Sequence, residues 1–82
     1  MNYEQEMKKR FPKMEKLFNP DILKQFAKFD DVTEFNIGIG TMIRLKFLRP
    51  DNILRKAFVE AGITDVDEMT MIVLKEFWEY LQ

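Results

Sequence analysis

The chain has 82 residues, which is enough for one domain and too few for a second. Apolar residues make up 46% of it, including eight Phe and six Met, so a small domain can still build a dense core. The net charge of −1 argues against a strongly basic nucleic-acid-binding protein and against an acidic disordered chain. Because there is no Cys and no His, disulfide scaffolds, zinc fingers and Ser-His-Asp triads are excluded.

Apolar runs are short throughout the sequence. None approaches the roughly 20 residues that a membrane span needs, and the charged stretch 1–10 has no apolar segment typical of a signal peptide. We therefore expect a cytoplasmic protein with no membrane segment.

The first two helices are predicted from apolar spacing and from a strong start signal. Apolar residues recur every three or four positions over 1–18, which predicts an N-terminal helix packing on the rest of the chain, kinked or restarted at Pro12. Asn19 suits an N-cap, and Pro20 suits the first position of a second helix. The buried stripe of that helix is expected to consist of Ile22, Leu23, Phe26 and Phe29, and its end is expected at Asp30 and Asp31.

The third segment, residues 35–48, fits two structures. With a period of two, its apolar residues alternate with polar ones as in a strand. With a period of 3.6, Ile39, Met42, Ile43 and Phe47 form a helical stripe. No other segment resembles a strand, and a lone hairpin is only marginally stable. We therefore favour the helix, although the local pattern favours a strand.

Two more helices are predicted in the C-terminal half. Pro50 places the start of the fourth near Asp51, and Gly62 ends it in the left-handed region, with Ile63 folding back as in a Schellman motif. Leu54, Ala57, Phe58 and Ala61 line its buried face. Thr64 to Asp67 matches a capping box for the fifth helix. The core stripe of that helix is Met69, Ile72, Val73, Phe77 and Leu81.

These elements predict the fold class. Residues 1–82 should form a single all-α domain, a small orthogonal bundle of four to five short helices.

The stretch 37–81 carries the motifs Gly-x-Gly, Ile-Arg, Gly-Ile, Asp-x-Met and Ile-x-Leu-x-x-Phe. Their residues, with two helix positions between them, are Gly38, Gly40, Ile43, Arg44, Leu54, Phe58, Gly62, Ile63, Asp67, Met69, Ile72, Leu74 and Phe77. In this pattern the chain resembles a family of small uncharacterised bacterial helical domains. The chain departs from the pattern at Met42, Val66 and Glu68. The resemblance implies a helical fold and a bacterial or phage origin, and it implies no activity.

The Gly38-Ile39-Gly40 step invites a phosphate-loop interpretation. A dinucleotide site needs a third glycine where this chain has Ile43, and it needs a parallel sheet that is not predicted. We therefore favour a packing or turn role for the two glycines.

A basic segment follows, made of Arg44, Lys46, Arg49, Arg55 and Lys56. It is the candidate nucleic-acid-binding surface, although a near-zero net charge counts against that function. Charge compensation by the acidic C-terminal part of the chain is the favoured alternative. Arg44 lies between Ile43 and Leu45, so part of its stem should be buried, and Asp67 is its expected partner.

No residue set points to catalysis, a metal or another cofactor. The acidic pairs, Asp30 with Asp31 and Asp65 with Asp67 and Glu68, lie at predicted helix ends, where carboxylates commonly cap. No EF-hand spacing supports an oxygen-only metal site, and no small-molecule substrate is evident. We therefore expect a protein that is not an enzyme.

A second apolar stripe on the fifth helix is the candidate partner-binding surface. It consists of Met71, Leu74 and Trp78, beside the core stripe. Such a wide apolar arc fits a central helix that is buried all round. It also fits an exposed binding patch, because Trp and Met are enriched at interfaces.

The sequence thus predicts a small protein-interaction or oligomerisation module, with a nucleic-acid-binding helical domain as the alternative. A homodimer and a foreign protein partner both remain open, and an inhibitor or adaptor of phage or defence origin would fit.

Overall fold

The computed structural model describes residues 2–28 and 32–82. Within them the chain forms five α-helices and one 3₁₀ turn, and no described residue lies in a strand, which confirms the all-α prediction. The helices are α1 (Tyr3–Leu17), α2 (Pro20–Lys28), α3 (Ile39–Phe47), α4 (Ile53–Glu60) and α5 (Val66–Leu81), and the 3₁₀ turn (Val32–Phe35) lies between α2 and α3.

Asparagine side chains start both N-terminal helices. The Asn2 side chain accepts hydrogen bonds from the backbone N–H groups of Glu4 and Gln5, at 2.8 and 3.4 Å. Helix α1 then continues through Pro12 as one element. At α2 the backbone N–H of Asp21 donates to Asn19 Oδ1 at 2.8 Å, which confirms the predicted cap.

The stripe predicted for α2 is only partly buried. Phe26 is fully buried and Leu23 packs against the core, but Ile22 is 45% exposed, so the prediction for Ile22 was wrong. Three further predictions, for Phe29, Asp30 and Asp31, lie outside the described residues.

The third segment, which fitted both a strand and a helix, is helical. The helix was favoured because no other segment resembles a strand that could pair with it. Helix α3 buries Ile39 and Ile43, while Met42 and Phe47 are partly buried against the core. Leu48 follows as the C-cap and is also buried. The helical period therefore describes the segment, because its apolar side chains pack on α5 instead of pairing with a second strand.

Helix α4 begins slightly later than predicted. Its N-cap is Asn52, whose Oδ1 accepts a hydrogen bond from the backbone N–H of Leu54 at 2.9 Å, so the start near Asp51 was too early. Its buried residues are Leu54, Ala57 and Phe58, whereas Ala61 is the exposed C-cap and does not line the core.

The end of α4 is a complete Schellman motif, as predicted. Gly62 has a φ of +88°, where a side chain would be strained. Its N–H donates to the carbonyl of Val59 at 3.0 Å, and the N–H of Ile63 donates to the carbonyl of Phe58 at 2.9 Å.

The start of α5 corrects the capping-box prediction by one residue. The N-cap is Asp65 and not Thr64, because Asp65 Oδ1 accepts from the backbone N–H of Asp67 at 2.9 Å. A carboxylate cap also complements the positive end of the helix dipole, which a threonine hydroxyl does less well.

Helix α5 lies at the centre of the fold. It contacts α1, α2, α3 and the 3₁₀ turn, while α1 also packs on α4. Its predicted core stripe is confirmed: Met69, Val73 and Phe77 are fully buried, and Ile72 and Leu81 pack against them.

Gly40 sets how closely α3 approaches α5. A Cβ atom at this position would lie 3.0 Å from Asn36 Oδ1, 3.2 Å from Thr70 Cγ2 and 3.4 Å from Leu74 Cδ1. Gly38, by contrast, has open space where its Cβ would be. The Gly-x-Gly step therefore combines one close helix contact with one open turn position, in agreement with the packing interpretation.

We expect Gly40→Leu to lower the free energy of unfolding by about 1–3 kcal/mol or more, because the side chain overpacks the contact between α3 and α5. The matched variant Gly38→Leu should change it by less than about 1 kcal/mol, since its side chain meets open space. Chemical denaturation of both variants checks this, and equal stabilities would contradict the assigned role of Gly40.

Candidate functional site

The predicted partner-binding stripe is not a continuous exposed surface. Leu74 is fully buried, and Met71 and Trp78 are partly buried and packed against the core. Leu74 is covered by α3, whose Gly40 lies against its Cδ1 atom. Leu74 is therefore not accessible to a partner, and the wide apolar arc of α5 reflects its central position.

The Trp78 end of this stripe is tied to α2. The side-chain amide of Gln82 donates to the carbonyl of Ala27 at 3.0 Å and to that of Trp78 at 3.1 Å. The indole Nε1 of Trp78 is buried and finds no hydrogen-bond partner among the described residues. Gln82, at the end of α5, thus links α5 to α2 beside Trp78.

Arg44 binds groups on three parts of the chain. Its guanidinium donates to Asn36 Oδ1 at 3.2 Å and to Thr41 Oγ1 at 3.1 Å. It also lies 3.9 Å from Asp67 Oδ1, so the predicted ion pair is present. The Asp67 side chain is 77% exposed, and the hydrogen bonds to Asn36 and Thr41 therefore contribute more than the ion pair.

The rest of the basic segment is divided between structural and exposed positions. Arg55 Nη1 donates to the carbonyl of Leu48 at 3.0 Å and so satisfies the C-terminal end of α3. Lys46, Arg49 and Lys56 are exposed. The candidate nucleic-acid surface of Arg44, Lys46, Arg49, Arg55 and Lys56 thus has two of its five cations committed to contacts within the fold.

An apolar groove lies between α2 and α3, and no residue of the predicted stripe lines it. Its volume is about 290 Å³, and it is lined by Phe18, Ile22, Phe35, Gly38, Ile39 and Met42. None of these residues carries a charge. Phe35 is held in place by an edge-to-face contact with the buried Phe26 ring, with centroids 5.0 Å apart.

Exposed aliphatic residues occur in this groove or close to its lining residues in the chain. Ile22 on its α2 wall is 45% exposed, and Ile37, between two lining residues, is 85% exposed. Leu45 is 51% exposed and lies three residues after Met42 on the same side of α3. We call the groove and these three side chains the α2–α3 groove surface. Sequence analysis missed it, although Ile37 stands outside the helical stripe of its segment.

A second, more polar cleft lies between α1 and α5. It has a volume of about 440 Å³ and is lined by Lys8, Phe11, Glu76, Glu79 and Tyr80. The Phe11 and Tyr80 rings form an aromatic pair with centroids 5.0 Å apart. A hydrogen bond from the Tyr80 hydroxyl to the Glu15 carboxylate raises the pKa of Tyr80, because ionisation would break that bond and bring two negative charges together.

A second group with a shifted pKa among the described residues is a carboxylate on α1. The hydrogen bond from Lys9, at 3.0 Å, and that from Arg10, at 3.2 Å, lower the pKa of Glu6. Among the buried described residues Thr70 is the one polar side chain, and its hydroxyl donates to the carbonyl of Val66 at 2.8 Å. The described residues form no group of three acidic side chains that would hold a metal ion. Nor does any helix among them have the length and apolar character to cross a bilayer.

Comparison with protein families gives one match, over residues 5–81, to a domain of unknown function, DUF6794. The chain belongs to this family. The match covers nearly the whole chain and includes helices α2 to α5, the α2–α3 groove and all but the first two residues of α1. Comparisons with curated proteins and with solved structures gave no match.

We expect Arg44→Ala to lower the free energy of unfolding by about 1.5–3 kcal/mol, since it removes charged hydrogen bonds to Asn36 and Thr41. Lys46→Ala, at an exposed position, should change it by less than about 0.5 kcal/mol. Thermal and chemical denaturation check both variants. Equal melting temperatures for the two variants would show that the hydrogen bonds of Arg44 do not contribute to stability.

We also expect Tyr80 to ionise at a higher pH than an ordinary tyrosine, and Glu15→Gln to return its pKa towards 10.0. The contribution of this hydrogen bond to stability is present below the pKa of the unfolded state and is lost as pH rises through the higher folded pKa. Ultraviolet titration in a Tyr3→Phe background isolates Tyr80, because Phe keeps the stacking of residue 3 on Phe58. An unchanged pKa in Glu15→Gln would contradict this assignment.

Proposed function

We propose that this domain is a non-enzymatic protein-interaction module that binds through the α2–α3 groove surface. The observation that carries the proposal is an uncharged groove of about 290 Å³, lined in part by Ile22, which is 45% exposed. Two more exposed aliphatic residues, Ile37 and Leu45, lie within three residues of lining residues in the chain. Contiguous exposed apolar surface on a small domain is costly in water, and it usually marks a contact with another macromolecule.

The chemistry of the chain supports binding over catalysis. The sequence has no His and no Cys, and the described core buries no titratable side chain. Among the described residues Glu6 and Tyr80 have shifted pKa values; contacts with Lys9 and Arg10 account for Glu6, and the contact with Glu15 accounts for Tyr80. Neither group belongs to the α2–α3 groove. A reaction would need acid, base or nucleophile groups converging in a cleft, whereas binding needs shape and apolar area.

The groove also supports the module over the nucleic-acid alternative. Nucleic-acid affinity depends mainly on cations that neutralise phosphates. Arg44 and Arg55 are engaged within the fold, and the groove itself contains no cation. An inhibitor or adaptor that works by covering the surface of another protein requires no more than such an apolar face. The resemblance to bacterial domains favours a bacterial or phage setting for such a protein.

Site-specific photo-crosslinking in cells that carry the gene tests this function. A photoreactive side chain at Leu45, on the groove surface, should give discrete crosslinked protein products. The same side chain at Ile53 should give none, because Ile53 is equally exposed, at 50% against 51%, but lies on α4.

The variant Ile22→Lys should reduce the Leu45 crosslinks at least tenfold, because a charge enters the apolar groove wall. Val59→Lys is its matched control, with 48% exposure against 45% for Ile22. Crosslinks of equal yield from Leu45 and Ile53, or crosslinks that survive Ile22→Lys, would overturn the proposed function.

A further inference from the structure

All the sulfur of this chain is in methionine, since the sequence has six Met and no Cys. Peroxides oxidise such thioether groups to sulfoxides, and the susceptibility of each one follows its exposure. Met7, Met14 and Met69 are at most 1% exposed and belong to the core. Met42 and Met71 are only partly buried, so an oxidant can reach these two without any opening of the core.

Met42 and Met71 differ in what surrounds them. Met71 packs against the hydrophobic core. Met42 lines the α2–α3 groove, whose volume of about 290 Å³ is several times the roughly 30 Å³ that one water molecule occupies in the liquid. Hydrogen peroxide is only slightly larger than water and can enter this space. Met42 is therefore the described methionine that a dissolved peroxide meets most directly.

From this difference we propose that Met42 is a redox modification site: a peroxide oxidises its sulfur to the sulfoxide, which weakens binding at the α2–α3 groove surface. The modification itself depends only on the position of Met42 in the groove. Its effect on binding rests on the proposed function, and it adds regulation to that site.

The oxidation needs hydrogen peroxide and no group of the protein besides the sulfur. A sulfur lone pair attacks one peroxide oxygen, so an S–O bond forms as the O–O bond breaks. The departing hydroxide takes the proton of the transferred oxygen and leaves as water. Sulfur loses two electrons, and the peroxide gains them. Methionine sulfoxide reductases reverse the change with two thiols, which become a disulfide while the oxygen leaves as water, so the modification can act as a switch.

A sulfoxide changes the chemistry of the groove, because the five side chains that line it together with Gly38 contain no nitrogen or oxygen. The sulfoxide oxygen is a strong hydrogen-bond acceptor, which water satisfies in the free chain. A partner that covers the groove removes this water, and no lining side chain donates a hydrogen bond in its place. We therefore expect oxidation of Met42 to weaken binding about tenfold.

Peroxide treatment of the purified full chain tests the modification without any partner. Tryptic peptide 29–44 carries Met42 and tryptic peptide 57–75 carries Met69 and Met71, so mass spectrometry follows each sulfoxide over time. Met42 should be oxidised at least about ten times faster than the fully buried Met69 and about three times faster than Met71. Circular dichroism verifies that the helices stay intact. A rate at Met42 that is no higher than that at Met71 would overturn the modification site.

The Leu45 crosslinks test the effect on binding. Cells that carry the photoreactive side chain at Leu45 are exposed briefly to hydrogen peroxide, so that part of the chain is oxidised, and are then irradiated. Residue 45 follows tryptic peptide 29–44, so the sulfoxide of Met42 can be counted separately in crosslinked and in free chains. It should be at least about tenfold rarer in the crosslinked chains. The sulfoxide of Met71 is the matched control and should be equally frequent in both.

Equal frequencies of the Met42 sulfoxide in crosslinked and free chains would overturn its effect on binding. The variant Met42→Leu gives a second readout. Whatever its crosslink yield in untreated cells, peroxide should leave that yield unchanged, because no sulfur remains at the groove. A fall as large as that of the wild-type chain would show that another residue is responsible and would reject the switch.

The proposed function is judged separately, in untreated cells. Leu45 crosslinks that form equally well from oxidised and unoxidised chains uphold the function and reject its regulation by Met42. The absence of any Leu45 crosslink rejects the function and the effect on binding with it, while the oxidation rates of the purified chain still decide whether Met42 is the modification site.

Discussion

The packing of aromatic rings around Phe77 holds the domain together. Phe77 is fully buried on α5, and its ring centroid lies 5.8 Å from that of Phe11, 6.4 Å from that of Phe18 and 5.9 Å from that of Phe26. One residue on the central helix thereby contacts α1, α2 and Phe18 in the link between them. Each such pair is worth about 0.5–1.5 kcal/mol beyond simple burial. In a domain of this size, that sum is a large part of the total stability.

Because other elements pack around α5, it carries more apolar residues than a helix at the edge of the fold needs. Leu74 extends the apolar arc of α5 to the side where α3 packs, and Met71 and Trp78 are partly buried against the core. The covering of Leu74 depends on Gly40, a residue that adds no side chain and so lets two helices approach. A periodic pattern shows that α5 has two apolar faces, but it does not show that a glycine 34 positions earlier in the chain covers one of them.

The features that sequence alone predicted are those set by residues close together in the chain. Asn19 and Gly62 were identified because an N-cap and a left-handed C-terminal residue act on their own neighbours. The ion pair of Arg44 with Asp67 also followed, since a basic residue within an apolar stripe needs an acceptor. The start of α4 was predicted about two residues too early and the N-cap of α5 one residue too early, because several adjacent polar residues there can act as the cap. Exposure of Ile22 was not predictable, because it depends on where α3 passes α2.

The groove is a consequence of how the chain returns from α2 to α3. Phe35 turns inwards onto Phe26, which fixes one end of the connection, and α3 must begin close enough to α5 for Gly40 to contact Leu74. Between these two fixed contacts, Ile37 and Gly38 lie outside the core, and the α2 wall is left facing the α3 wall across open space. The same contacts that close the core around α5 therefore leave apolar side chains uncovered on one face. A contact with another molecule would remove that surface from water without disturbing the core.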